Sequence, residues 1–178
     1  MLAYIAVASN IDPRTNILQA LDLLMERVRV AATSTFYQTP AINRPEQPAY
    51  LDGVWQIETP VPPHDLKFNI LRDIEDRLGR TRTSDKYAAR TIDLDILLYG
   101  NMILDDVDCR IPAPEIRDRP FLVACLLELD PELVLPDTRE QLESLVKPHE
   151  MRALLPDAEL TARVRSRLDP RPPEPNPG

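Results

Sequence analysis

Glycine is almost missing from this chain. Only Gly53, Gly79, Gly100 and Gly178 occur in 178 residues. Neither the phosphate loop GxxxxGK followed by Ser or Thr, nor the dinucleotide fingerprint GxGxxG, can be written with them, which excludes the common Gly-rich nucleotide cradles. If a nucleotide binds, side chains and metal must do that work. Cysteine is scarce too. Cys109 and Cys125 have neither metal-ligand nor redox spacing. Cys125 sits in the apolar run Phe121 to Leu127 and reads as core filler. With no disulfide framework, a reducing cytoplasm is the expected location. No apolar run reaches the roughly 18 residues of a membrane span, and Met1 to Ile5 lacks the basic start of a signal peptide. Positive charge is not in excess: the net charge of -8 argues against a nucleic-acid-coating protein. It leaves room for a small phosphorylated ligand in a local arginine cluster. The two histidines, His64 and His149, are isolated, without triad partners or ligand spacing.

What is present is an ordinary globular composition, 43% hydrophobic and 28% charged. The length predicts one domain over residues 1–168, and a monomer or weak dimer is the expected state. The Pro-rich stretch 169–178 is expected to be a disordered tail. Leu2 to Ala8 reads as a buried strand. Asp12 is placed as N-cap and Pro13 at the first turn of a helix reaching about Val28. Val28 to Tyr37 reads as a strand, Thr39 to Pro48 as a long loop, and Gly53 to Glu58 as an alternating strand. Leu66, Ile70, Leu71, Ile74 and Leu78 share a helix face that ends at Gly79, and Arg80 to Ala89 is a second polar loop. After a strand at 93–99, Met102 to Leu104 reads as a short strand and Pro112 to Pro120 as irregular. Helices are expected over Phe121 to Glu128, Arg139 to Val146 and Leu154 to Leu168. The order strand–helix–strand, strand–helix–strand predicts an α+β fold, ferredoxin-like, with an antiparallel sheet flanked by helices.

The segment Arg90-Thr91-Ile92-Asp93-Leu94-Asp95-Ile96-Leu97-Leu98-Tyr99 carries the chemistry. On a strand, Asp93 and Asp95 face one way, and Ile92, Leu94, Ile96 and Leu98 face the other. Adjacent like charges repel. A hard divalent cation between them reverses that, and carboxylates are what Mg2+ selects. A solvated strand face gives the same triplet, so both readings stand on the motif alone. Around it lie a basic cluster (Arg80, Arg82, Lys86, Arg90, then Arg110, Arg117, Arg119) and an aromatic and polar cluster (Tyr37, Thr39, Tyr50, Asp52, Trp55, Phe121). Acids, arginines and Mg2+ are what phosphoryl transfer requires, and an aromatic slot suits a flat heterocycle. Each group also has a plainer reading. The basic loop can be a solvated face, Glu75 an exposed helix position paired with neighbours, and Trp55 and Phe121 core residues.

The chain resembles the 6-hydroxymethyl-7,8-dihydropterin pyrophosphokinase family of folate biosynthesis from about Ala3 to Asp137. The resemblance is carried by Arg90-Thr91-Ile92-Asp93-Leu94-Asp95-Ile96-Leu97 and by the pieces around it. Those are Ala3 to Val7 with Ser9-Asn10, Phe36-Tyr37-Gln38-Thr39-Pro40, Gln47-Pro48-Ala49-Tyr50-Leu51, Ile74-Glu75 with Gly79-Arg80, Arg119 with Phe121, and Glu128 to Pro131. It implies pyrophosphoryl transfer from ATP to the pterin hydroxymethyl, with ATP as co-substrate. Asp93 and Asp95 would hold two Mg2+ ions. Arg80, Arg82 and Arg90 would be catalytic, and with Arg119 and Glu75 would line the ATP site. Thr39, Pro40, Tyr50, Asp52 and Phe121 would form the pterin pocket, and the loops 39–48 and 80–89 would be mobile lids. The chain departs from the family pattern at Ala8 (Gly), Asp52 (Asn), Tyr87 (Trp) and Ala113 (His). Two other readings remain: a paralogue acting on a different reduced pterin or hydroxymethyl heterocycle, and a non-catalytic nucleotide-binding module.

Overall fold

The apolar run at the N-terminus becomes β1 (Leu2–Ser9), an interior strand of a six-stranded sheet. The computed structural model describes residues 1–85 and 87–169, so Lys86 and the expected tail from Pro170 lie outside the described residues. In α1 (Pro13–Met25), Ile17, Leu18, Leu21 and Leu24 are buried at helical spacing. Asp12 occupies the N-cap position with φ 43°, but its side chain does not cap. The amide of Asn16 instead donates to the Ile11 carbonyl.

The single strand expected over residues 28–37 is two strands, β2 (Arg29–Thr33) and β3 (Tyr37–Thr39). Between them Ser34 donates its N–H to the Val54 carbonyl, and its Oγ accepts the Val54 N–H, each at 2.9 Å. A side-chain oxygen thus stands in for a ladder carbonyl, and the regular strand stops. Phe36 then packs under β4 (Tyr50–Glu58) at Gly53, where a Cβ would lie 2.7 Å from the ring. That position admits only glycine without repacking.

One helix follows in three parts: α2 (Pro63–Asp65), a π-helical segment (Leu66–Leu71) and α3 (Arg72–Arg77). Gly79 terminates it as expected, with φ 75°. The Arg80 N–H bonds the Glu75 carbonyl at 2.9 Å, and the Gly79 N–H bonds that of Asp76 at 3.1 Å. This is the double bond of a Schellman ending. β5 (Asp93–Tyr99) follows, then β6 (Leu104–Asp105) and β7 (Arg110–Ile111), paired as a small separate sheet. The stretch 112–120, expected to be irregular, contains α4 (Glu115–Asp118). α5 (Pro120–Leu129) matches its expectation. The helix expected over 139–146 is only a 3-10 turn, Leu142–Leu145, before α6 (Pro148–Arg152). The expected 154–168 helix loses its first residues to β8 (Leu155–Pro156) and begins as α7 (Ala158–Leu168), where Asp157 caps the Leu160 N–H.

The result is an α+β fold. The sheet order is β5-β1-β4-β3-β8, with β2 also pairing β4, and every pairing is antiparallel. Ile5, Trp55 and Ile96 pack on one face with Ile17, Leu21, Leu71 and Ile74 from the helices. Tyr4, Val54 and Leu97 pack on the other with Leu122 and Leu126 of α5. Leu98 departs from the expected alternation. The β1–β5 register slips between Tyr4 and Ile5, so Leu97 is an extra residue. This bulge sends both Leu97 and Leu98 to the α5 side, while Ile92, Leu94 and Ile96 stay on the other. Among the described residues no helix is long and apolar enough to cross a membrane.

Candidate active site

Three strands set the site by their register. Ala8 of β1 pairs with Asp52 of β4 on one side and Asp93 of β5 on the other. Two residues along, Ala6 pairs with Val54 and Asp95. Strands lie about 4.8 Å apart, so the backbones of Asp52 and Asp93 are roughly 10 Å apart across one row. The alanines between them leave the floor open. A cleft of about 600 Å³ stands on this floor, a size suited to small-molecule ligands. Asp52, Thr39, Pro40, Tyr50 and Phe121 line it with Asp93, Asp95, Arg90 and Arg119, and Tyr87 joins them from the second loop. The residues expected at a pterin pocket and the acids expected at a metal site therefore share one cleft. Trp55 does not; it is wholly buried in the core, as its plainer reading has it.

The acids are held by cations. Arg80 Nη1 donates to Asp93 Oδ1 at 2.5 Å, and Arg90 Nη1 donates to Asp93 Oδ2. Lys67 Nζ meets Asp95 Oδ1 at 2.7 Å, and that oxygen also accepts the Ile96 N–H at 2.9 Å. Partial desolvation by the surrounding protein raises the Asp95 pKa, opposed mainly by the hydrogen bond from Lys67.

Glu75 is not the exposed helix residue that its neighbours suggest. It is 4% exposed, and its Oε1 accepts the Leu94 N–H at 2.8 Å. Arg82 donates to its Oε2, and Arg80 Nη1 lies 3.6 Å from Oε1. Burial pushes its pKa up, opposed by the Leu94 N–H. Glu75, Arg80 and Arg82 are absent from the cleft lining and sit behind Asp93 as a brace. Arg110 and Arg117 are engaged elsewhere, with Asp105 and Asp137.

The two long loops are tied to each other. Arg44 pairs with Asp85 at 2.9 Å, and Gln47 Nε2 donates to the Tyr87 carbonyl at 3.0 Å. Asn10 joins both. Its amide donates to Gln47 Oε1 and to the Pro48 carbonyl, each at 3.2 Å, and its Oδ1 accepts the Arg90 N–H at 2.7 Å. Asn10 is 3% exposed. Sequence reasoning noted it only within a matching piece; a buried asparagine after a strand has no periodicity to betray it. Lys67 was missed for a similar reason, being one lysine on an amphipathic helix.

Asp52 is 6% exposed, and the Thr39 hydroxyl donates to its Oδ2 at 2.5 Å. Burial raises its pKa to about 7, against the Thr39 hydrogen bond and the positive charge of Arg119. The folded-state value lies above the ordinary 3.8. Stability from this group is therefore full below about pH 4 and is lost as pH rises through about 7. In urea titrations the wild type should lose roughly 2–4 kcal/mol more between pH 4 and pH 8 than Asp52→Asn, which removes the titration. Parallel pH profiles for the two proteins would show that Asp52 ionises freely in the folded state.

Among the described residues no cluster of three His, Cys, Asp or Glu could close a metal cage. The donor set nevertheless suits Mg2+, which binds through one or two carboxylates and completes its shell with water and substrate phosphates. Asp93 and Asp95 face one open cleft, and Asp95 Oδ2 takes no hydrogen bond among the described residues.

Comparison with known proteins adds a family. The sequence pattern described as 7,8-dihydro-6-hydroxymethylpterin-pyrophosphokinase matches residues 4–131. A 2-amino-4-hydroxy-6-hydroxymethyldihydropteridine pyrophosphokinase of Haemophilus influenzae is 36% identical over 140 residues, 77% of this chain and 86% of that one. The protein of the same name from Pseudomonas aeruginosa is 36% identical over 145 residues, 80% of this chain and 88% of that one. A crystal structure of HPPK-DHPS in complex with substrates superposes with a TM-score of 0.58 at 14% identity, over 81% of this chain and 42% of that one. At that identity the likeness concerns the fold alone.

Proposed function

The chain belongs to the 7,8-dihydro-6-hydroxymethylpterin-pyrophosphokinase family, and on that premise we propose that it transfers the β,γ-pyrophosphoryl group of ATP to the hydroxymethyl oxygen of a reduced pterin. One observation carries the reading: the row Asp52–Ala8–Asp93 places a buried hydrogen-bonding acid and an acid pair about 10 Å apart on one floor. Tyr50 and Phe121 line the Asp52 end of the cleft, where a flat ring would sit with its hydroxymethyl arm toward the acids. The bond formed is hydroxymethyl oxygen to Pβ. The bond broken joins Pβ to the bridging oxygen of Pα; its electrons stay on AMP, and the hydroxyl proton goes to solvent. Asp93 and Asp95 would hold the Mg2+ ions, whose chemistry is to neutralise the phosphate oxygens and polarise phosphorus. Arg90 and Arg119, in the cleft, would bind the polyphosphate, and Arg80 would turn from Asp93 toward it. Glu75 and Arg82 would act from behind, by placing Arg80. Loops 39–48 and 80–89 would close over the ligands and exclude water. We read the β5-β1-β4-β3 order as the ferredoxin-like split β-α-β arrangement.

Asp52 favours weighing a second reading, an acceptor other than the dihydropterin. An ionised carboxylate only accepts hydrogen bonds, whereas its neutral form both donates and accepts, as an amide does. With a pKa near 7, Asp52 takes both forms in the neutral range. If the acceptor is 6-hydroxymethyl-7,8-dihydropterin and its edge needs a donor, kcat/KM should rise about tenfold to a hundredfold as pH falls through 7. Asp52→Asn should then be flat and high across the range. If the native acceptor supplies an extra donor, wild type should be poor on the dihydropterin and the variant should gain. High activity of the wild type above pH 8 that drops in Asp52→Asn would remove the changed-acceptor reading.

A further inference from the structure

Lys67 has no part in the reading so far, yet it holds one of the two acids. It is the second residue of the π-helical segment, and its carbonyl accepts the Arg72 N–H, one residue further on than an α-helix would allow. Leu66, Ile70 and Leu71 of this segment bury into the core face opposite the cleft. Asp95 lies on the cleft face of β5, the edge strand. Lys67 must therefore pass the open edge of the sheet to make its 2.7 Å contact. Its side chain is only 17% exposed, low for a lysine, so the stem is packed and the ammonium is held in place rather than sampling solvent.

The charge balance shows what this does. Arg80, Arg90 and Lys67 place three positive charges on the two carboxylates. A bare divalent ion entering there meets repulsion, and one oxygen of Asp95 is already occupied. Building on the divalent-ion reading above, we propose that Lys67 is a tethered counter-cation that occupies Asp95 and is displaced from it when a divalent ion binds. Metal loading at this site is then an exchange. The polyphosphate brings the negative charge that lets Lys67 leave, which couples metal entry to nucleotide entry.

The test is Mn2+ binding followed by electron paramagnetic resonance, with the full chain, without nucleotide and with a non-hydrolysable ATP analogue. Lys67→Met keeps the packed stem and removes the charge. It should bind Mn2+ about tenfold more tightly than wild type without nucleotide, and by a smaller factor with the analogue. Lys67→Arg, which keeps the charge, should stay within about twofold of wild type. Unchanged or weaker Mn2+ binding in Lys67→Met would overturn the exchange, as would equal tightening in Lys67→Arg. Asp95→Asn separates the two levels of the argument. If it binds Mn2+ as tightly as wild type, the acid pair is not the metal site and the functional reading fails as well. If it binds more weakly while Lys67→Met is unchanged, only the exchange fails.

Discussion

Asp95→Ala should lower kcat at saturating ATP, Mg2+ and acceptor by at least about a thousandfold while leaving the protein folded. Asp95 lines the cleft floor beside Asp93, and on the proposed reading a cation held there would act on charge that develops at phosphorus. Removing one such stabiliser costs roughly two to three orders of magnitude in comparable sites, and a lost metal ligand adds to that. Stability should change little. The Asp95 carboxylate is half exposed, and its pair with Lys67 is the kind worth about 0–1 kcal/mol. Asp95→Asn should fare almost as badly in catalysis, because an amide is a weak ligand for a hard cation. Turnover within tenfold of wild type would mean the acid pair is only a charged strand face.

Glu75→Ala should do the opposite, unfolding the protein more than its distance from the cleft suggests. Glu75 is the acceptor for the Leu94 N–H on the open edge of β5, and it carries Arg82 and part of Arg80. Truncation strands a buried N–H and leaves two guanidinium groups without their shared carboxylate. Breaking a buried pair in this way typically costs about 3–5 kcal/mol. Glu75→Gln keeps the acceptor for Leu94 and loses only the charge, so it should cost clearly less. Chemical denaturation of the three proteins at neutral pH checks this. An Ala variant within about 1 kcal/mol of wild type would contradict the bracing role and return Glu75 to the list of simple surface acids.

Much of this was legible in the chain, and the failures have physical causes. β1, α1, β4, β5 and α5 could be read because one or both faces bury, and burial writes a period into the sequence. The acid pair was legible because two carboxylates two residues apart on a strand demand a reason. The bulge at Leu97 was not, since Ile96, Leu97 and Leu98 are all apolar and no alternation marks the slip. The π-helical turn was hidden likewise: Leu66, Ile70, Leu71 and Ile74 satisfy an α-helical stripe whether or not one residue is extra. The 139–146 segment has helical spacing but only its Leu142 is deeply buried, so tertiary packing did not extend it beyond one 3-10 turn. Glu75 was ambiguous because its neighbours Asp73, Asp76 and Arg77 are surface residues. Its partner Leu94 is distant in sequence, and only the folded chain brings that N–H to it. Ala6 and Ala8, which open the cleft floor, carry no chemistry of their own to notice.

The most direct measurement is the nucleotide product. Wild-type protein is incubated with ATP, Mg2+ and 6-hydroxymethyl-7,8-dihydropterin, and phosphorus NMR follows nucleotides and ester together. Pyrophosphoryl transfer predicts one AMP for each diphosphate ester formed, without ADP. ADP with a monophosphate ester, or ATP left intact beside the dihydropterin, would contradict it.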